Sequence, residues 1–228
     1  MAVPVAARWE VAGFLGLTGA TGLIDAVSYL SLGHTFVANM TGNVVFLGFA
    51  VVPETGFRFG PPVAAVLGFV LGSLGGGRAA RVLDGRPREW LGTAFGVQAV
   101  VLWVCALLVG VGVLRETGGT SYVLIVALAA CFGLQNATVR HVAPRDLTTT
   151  VLTLTLTGLA ADSVLGTGRS AKPHRRLGSI AAMLVGAAIG ALLLQQTVSG
   201  VIALAGAVVA AAALIFLFAP APAPDPAA

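Results

Sequence analysis

The sequence predicts an all-α integral membrane protein, with six full transmembrane helices plus two broken, half or re-entrant segments arranged as an inverted internal repeat. Three observations carry this expectation. Of 228 residues, 57% are hydrophobic and only 10% charged, with a mean hydropathy of +0.95, which is more apolar content than one soluble core buries. The apolar residues fall into eight stretches, most of them near the roughly 20 residues needed to cross about 30 Å of hydrocarbon. The basic residues sort to one side of a membrane, eleven to two, if two of those stretches do not cross it; if only the later of the two fails to cross the split is ten to three, and the six-span version is preferred because it treats the two halves alike.

Taken in order, segment A covers about 11–32, B about 35–52, C about 61–80 and D about 91–114. The second half supplies A′ at about 121–142, B′ at about 147–165, C′ at about 177–196 and D′ at about 199–218. Segment A carries Asp25 and is longer than a signal-peptide core, so it is read as a span rather than a cleavable leader. Pro53, Pro61 and Pro62 bracket the loop between B and C, RVLDGRPREW separates C from D, RETGGTS separates D from A′, and RSAKPHRR precedes C′. The alternating ten-residue pattern of a membrane barrel is not seen, and a helix satisfies its own backbone in lipid. The chain is one polytopic membrane domain over 1–228, with repeat 1 at about 11–114, repeat 2 at about 121–218 and a Pro/Ala tail, 219–228, expected to be disordered.

The halves match in content as well as order. GLIDA at Gly22 to Ala26 aligns with GLQNA at Gly133 to Ala137, an offset of 111 that sets Asp25 opposite Asn136. With one gap, Thr41 meets Thr153, and the Gly68/Gly72 pair of C matches Gly186/Gly190 of C′ at an offset of 118.

Charge then decides between topologies. Eight crossings put Arg8, Arg58, Arg115, Arg169, Lys172, Arg175 and Arg176 on one side and Arg78, Arg81, Arg86, Arg88, Arg140 and Arg145 on the other, which gives no orientation. If B and B′ enter and return, only Arg58 and Arg115 lie opposite the other eleven. That distribution obeys the positive-inside rule, placing both termini in the cytoplasm. Three full spans per repeat is an odd number, so the second repeat sits upside down relative to the first, a design of transporters and channels.

The polar residues of B and B′ gain a purpose in this arrangement. VANMTGNVVFLG places Asn39, Thr41, Gly42 and Asn43 inside an apolar run, and TTTVLTLTLTGLAAD holds Thr149, Thr150 and Thr153 in its counterpart. Uncharged donors and acceptors beside a permissive glycine suit a solute or ion site lined by unwound backbone. Asp25, Gln135 and Asn136 from A and A′ complete the candidate set. A carboxylate inside a span costs on the order of 3 kcal/mol on insertion scales, so Asp25 faces a cavity or a partner. The structural alternative is that Asn and Thr pair between helices and that Asp25 pairs with Arg140, His141 or the polar groups of B. Thr153, Thr155 and Thr157 alternate with leucine, which suits an extended piece better than a helix face.

Other features exclude more than they assign. Cys105 and Cys131 read as small buried hydrophobes, and His34, His141 and His174 show no metal-ligand spacing. Gly75, Gly76 and Gly77 lack a Walker lysine and read as a helix end; Trp9 and Trp90 sit where aromatic anchors belong, and Trp103 reads as packing. No paired carboxylates or Ser/His/Asp spacing point to an enzyme, and no cofactor or metal is expected. The net charge of +4 records orientation rather than a nucleic-acid partner. The expected partners are the lipid bilayer, a small polar solute or ion, and a second copy of the chain through the glycine faces of C and C′. The function expected is a transporter or channel for that solute, with a non-transporting accessory or interaction protein as the alternative.

GLIDAVSYLSLGHTFVANMTGNVVFLG and ACFGLQNATVRHVAPRDLTTTVLTLTLTGLA together resemble the YoaK-like family of bacterial multi-pass membrane proteins, a family classed as a domain of unknown function. The resemblance spans nearly the whole chain and implies an integral protein of the bacterial cell membrane, without a residue role to carry over. This chain departs at Thr153-Leu154, where the family commonly has Thr-Gly.

Overall fold

A computed structural model describes residues 3, 5–142, 152–163, 166–168 and 173–221. Thr149, Thr150 and most of the Pro/Ala tail lie outside the described residues. Those described form eight α-helices and one short 3-10 turn, with no strand among them. The helices are α1 (Ala7–Ser31), α2 (Met40–Phe49), α3 (Gly60–Val82), α4 (Pro87–Gly110), α5 (Gly119–Val142), α6 (Leu152–Ala161), α7 (Pro173–Leu194) and α8 (Val198–Phe218). Six are apolar and 21 to 25 residues long, enough to cross a membrane, while α2 and α6 have 10 residues each and fall short. The expected six spans and two shorter segments are therefore what the chain forms.

Lengths and ends follow from local chemistry. Proline in the first turn of α3 and of α4 occupies positions where a missing N–H costs nothing. Asn39 caps α2 by accepting from the Gly42 N–H, and Thr197 caps α8 by accepting from the Gly200 N–H. Two of the sequence expectations need correction here. Gly75 to Gly77 do not end a helix but lie inside α3. Thr153, Thr155 and Thr157 lie on α6 rather than on an extended piece, because a helix pairs the backbone within its own segment.

Glycine crossings organise the bundle. A Cβ at Gly22 would overlap the backbone of Met183, Gly186 and Ala187; one at Gly186 would overlap Gly19, and one at Gly190 would press on Leu23 and Ala26. Hence α1 and α7 run parallel with their backbones in contact. The same description, residue for residue, fits α5 on α3: Gly133 lies on Phe69 and Ser73, Gly72 on Ala130, and Gly76 on Leu134 and Ala137. The Ser73 hydroxyl adds a hydrogen bond to the Gly133 carbonyl (3.2 Å). Moving α1 by 111 and α7 by 114 turns one crossing into the other, so the glycines of α3 that match Gly186 and Gly190 are Gly72 and Gly76. The offset of 118 expected from sequence is therefore one helical turn out of register.

The third pairing is antiparallel. Gly92 of α4 receives Leu217 of α8, and Gly206 of α8 receives Trp103 of α4, whose indole N–H donates to the Ala203 carbonyl (3.2 Å). Arg88 closes this contact by donating to the carbonyls of Leu217 and Ala219, both at 2.9 Å. Trp90, read as an aromatic anchor at a span edge, lies in the first turn of α4, is 2% exposed and is set edge-on to His141. Helices α1 and α5 are central, while α3 and α7 turn Leu67, Leu71, Leu184 and Leu192 outward, as spans facing acyl chains do.

Chain direction follows. The Ala6 N–H donates to the Pro220 carbonyl (2.9 Å), so the start of α1 and the end of α8 share one face. At the opposite face, Gly33, with φ +81, turns the chain beneath Pro61, and Gly60 packs on Tyr122. The chain thus leaves and rejoins the same end of the bundle around α2. Arg176, in the first turn of α7, packs on Gly158 of α6.

Candidate functional site

The loop into α2 is built by one amide. Asn43, fully buried, accepts from the Thr35 hydroxyl (3.0 Å) and the Phe36 N–H (2.9 Å) through Oδ1, and donates from Nδ2 to the Phe36 carbonyl (2.6 Å). These bonds fold residues 35–43 back so that Asn39 and the first turn of α2 border the cavity described next. Gln135 has a comparable role: it accepts from Gln98 Nε2 (2.8 Å) and donates to Thr21 Oγ1 (3.2 Å), tying α4, α5 and α1 together. Asn43 and Gln135 are thus structural amides and do not line the cavity described next.

That cavity, about 530 Å³, lies between α1, α2, α3, α5, α6 and α7. Of the candidate residues read from sequence, it gathers Asp25, Asn39, Thr41, Gly42, Asn136 and Thr153. Its walls come in corresponding pairs from the two halves: Asp25 with Asn136, Thr41 with Thr153, Met40 with Leu152, and Phe69 with Met183. Phe69 and Met183 correspond at the offset of 114 set by the glycine crossings, and each lies about half-way along its helix. Sequence reading missed this last pair because the register of C against C′ was one turn off.

Asp25 is the charged residue among those lining the cavity. It is 8% exposed, and its Oδ1 has no hydrogen-bond partner among the described residues. The Ala38 backbone N–H faces the carboxyl group from the loop ahead of α2. The expected alternative of an ion pair to Arg140 or His141 is not formed: Arg140 is exposed, and His141 Nδ1 lies 3.0 Å from the Ala137 carbonyl. Asn136 donates to the Phe132 carbonyl (2.8 Å), which fixes its amide on α5.

The flanks of the cavity differ. Phe46, on its wall, stacks between Phe36 and Phe57 with centroids 5.8 and 5.1 Å away, and Tyr29 stacks on Phe36 at 5.0 Å. This aromatic wall belongs to the first half alone. In the second half, Gly158 stands where Phe46 stands in the first, and Arg176 lies over it in an ion pair with Asp162 (3.0 Å). No group of three His, Cys, Asp or Glu residues is placed to hold a metal among the described residues. Cys105 and Cys131 are buried free thiols.

An all-helical bundle with six membrane-length helices and a cavity bordered by two half-length ones defines a multi-pass membrane protein. The profile of the family described as "Protein of unknown function (DUF1275)" matches residues 13–215, and the chain belongs to that family. It is similar to the UPF0700 transmembrane protein YoaK of Bacillus subtilis (strain 168), with 30% identity over 146 residues. The match covers 62% of this chain and 61% of that relative's length. No solved structure matches the chain.

Proposed function

We propose that this protein carries or conducts a small polar solute or ion across the bacterial inner membrane, through the cavity that α2 and α6 enter from opposite faces. The observation that carries the reading is the pairing of cavity residues from the two halves around Asp25, a buried carboxyl group with an unpartnered oxygen. A buried ionisable residue inside a membrane bundle is a functional position by default.

The chain is read as a duplication whose halves are inverted. The parallel α1·α7 and α3·α5 crossings and the antiparallel α4·α8 contact support it, because they correspond under one exchange of halves. Cavities between inverted repeats, entered by discontinuous helices, are where secondary transporters hold solute. Orientation rests on charge. Arg8, Arg78, Arg81, Arg86, Arg88, Arg140, Arg175 and Arg176 lie toward the end that holds both termini, while Arg58 and Arg115 lie toward the other. The basic end is the cytoplasmic one.

No catalysis is assigned to the chain, and an accessory role is the weaker reading. Gly72, Gly76, Gly186 and Gly190 are engaged in internal crossings, so those faces are not offered to a second copy or another protein. The test is flux of a panel of small polar solutes and ions into vesicles reconstituted with purified protein. Flux in the native protein and its loss in folded Asp25→Asn are expected; no flux for any solute contradicts the proposal.

A further inference from the structure

We infer that the cavity takes a small organic cation, its ammonium group against the Asp25 carboxylate and its apolar body between Phe46, Phe69 and Met183. This rests on the cavity being a solute site and specifies the chemistry of that solute.

Four observations converge. First, the charge offered to a ligand is negative: Asp25 is the charged residue among those lining the cavity, and among the described residues the Ala38 N–H faces its carboxyl group while no side-chain cation pairs with it. A carboxylate held away from water is paired or neutralised, so the group that completes it is a cation or a proton. Second, the first turn of α2 does not reverse this sign. A helix start is equivalent to roughly half a positive charge against a whole negative one, and the Gly42 N–H there is already taken by the Asn39 side chain. Third, Phe46 and Phe69 border the same space, and aromatic faces attract cations. Fourth, about 530 Å³ is more than a bare metal ion occupies and falls in the range of small-molecule sites. Asn39, Thr41, Asn136 and Thr153 add uncharged polar groups around the rim.

The ligand and the proton contend for one carboxylate, so acidification weakens binding. Among the described residues no second charged or histidine side chain lines the cavity; His34 lies behind the aromatic wall, against Tyr29 at 5.2 Å. Helices α2 and α8, packed beside α1, carry no titratable residue, and α7 carries His174, Arg175 and Arg176 only in its first turn. Across the cavity, α3 and α5 bring Phe69 and Asn136, both uncharged.

The experiment is calorimetric titration of the purified full chain in detergent with n-butylammonium and tetramethylammonium, against n-butyrate and n-butanol as matched anion and neutral probes. The cations are expected to bind, the other two not. Asp25→Asn is expected to weaken cation binding by roughly tenfold or more, as losing a desolvated charge contact does. Phe69→Leu is expected to weaken it severalfold, and binding to the native protein to decline as the pH is lowered. Should Asp25→Asn fail to fold, Asp25→Glu keeps the charge, and retained binding in it together with the pH trend supports the inference. Binding of butyrate, equal binding of butanol, or no binding of either cation overturns it. Cation binding without vesicle flux overturns the transport reading alone; flux restricted to anions or neutral solutes keeps transport and overturns this inference.

Discussion

Asp25 lines the cavity and Asn43 stands next to Gly42 of its wall, yet they do opposite things. Asn43 satisfies a buried N–H, a buried carbonyl and a hydroxyl of its own loop, so Asn43→Ala leaves Phe36 polar groups unpaired. It is expected to cost about 2–3 kcal/mol and to lower the melting temperature in detergent. Asp25→Asn removes a charge with no ion-pair partner among the described residues and is expected to leave the melting temperature unchanged or raised while abolishing flux, since an unpaired buried charge stabilises nothing. Sequence placed both residues at polar positions inside apolar runs, which marked them as candidates. It could not separate them, because what distinguishes a loop-building amide from a cavity-lining carboxyl group is which atoms find partners.

At the scale of elements, the glycines divide by what lies over them. A side chain at Gly133 would overlap the Phe69 carbonyl and the Ser73 nitrogen, atoms of a helix backbone that cannot step aside. Gly133→Val is expected to destabilise by roughly 3 kcal/mol or more, seen as loss of the monodisperse peak on size-exclusion chromatography. Gly75 and Gly77 have nothing within 4 Å of the position a Cβ would take, so alanine at either is expected to be neutral or stabilising by up to about 1 kcal/mol. Between α4 and α5, Gln98→Leu or Gln135→Leu alone strands a buried amide, whereas the double replacement removes both. The coupling in that cycle is expected at roughly 0.6–2 kcal/mol. Helix existence and order were legible from hydropathy, since lipid leaves apolar segments few alternatives. The glycine register was not: small residues recur so often in α3 that alignment slips by a turn without penalty, and only the backbone contacts of Gly72 with Ala130 and of Gly186 with Gly19 fix it. The period-two threonines of α6 misled for a related reason, because alternation in a ten-residue apolar helix reports composition rather than backbone conformation.

The whole molecule is a problem of direction. The proposed orientation rests on charge: Arg58 and Arg115 stand apart from the other basic residues only when two segments return to their own side. Contact between Gly33 and Pro61 brings the chain back to one end of the bundle around α2, and the bond from Ala6 to Pro220 sets the start of α1 and the end of α8 on one face. What sequence could not supply was convergence, the meeting of two half-length helices at one cavity, since that depends on how α1 and α5 cross α7 and α3. A cysteine at Thr55 is expected to react with an impermeant reagent from outside intact cells, and one at Gly168 only after lysis. The most direct measurement of the central claim replaces Cys105 and Cys131 with alanine and places cysteines at Thr41 and Thr153. A short bifunctional thiol reagent added to membranes is predicted to link the two within one chain, with cleavage between Arg115 and Gly119 no longer separating the halves on a denaturing gel. Failure of the two positions to link, with each reacting singly, would contradict a shared cavity between the halves.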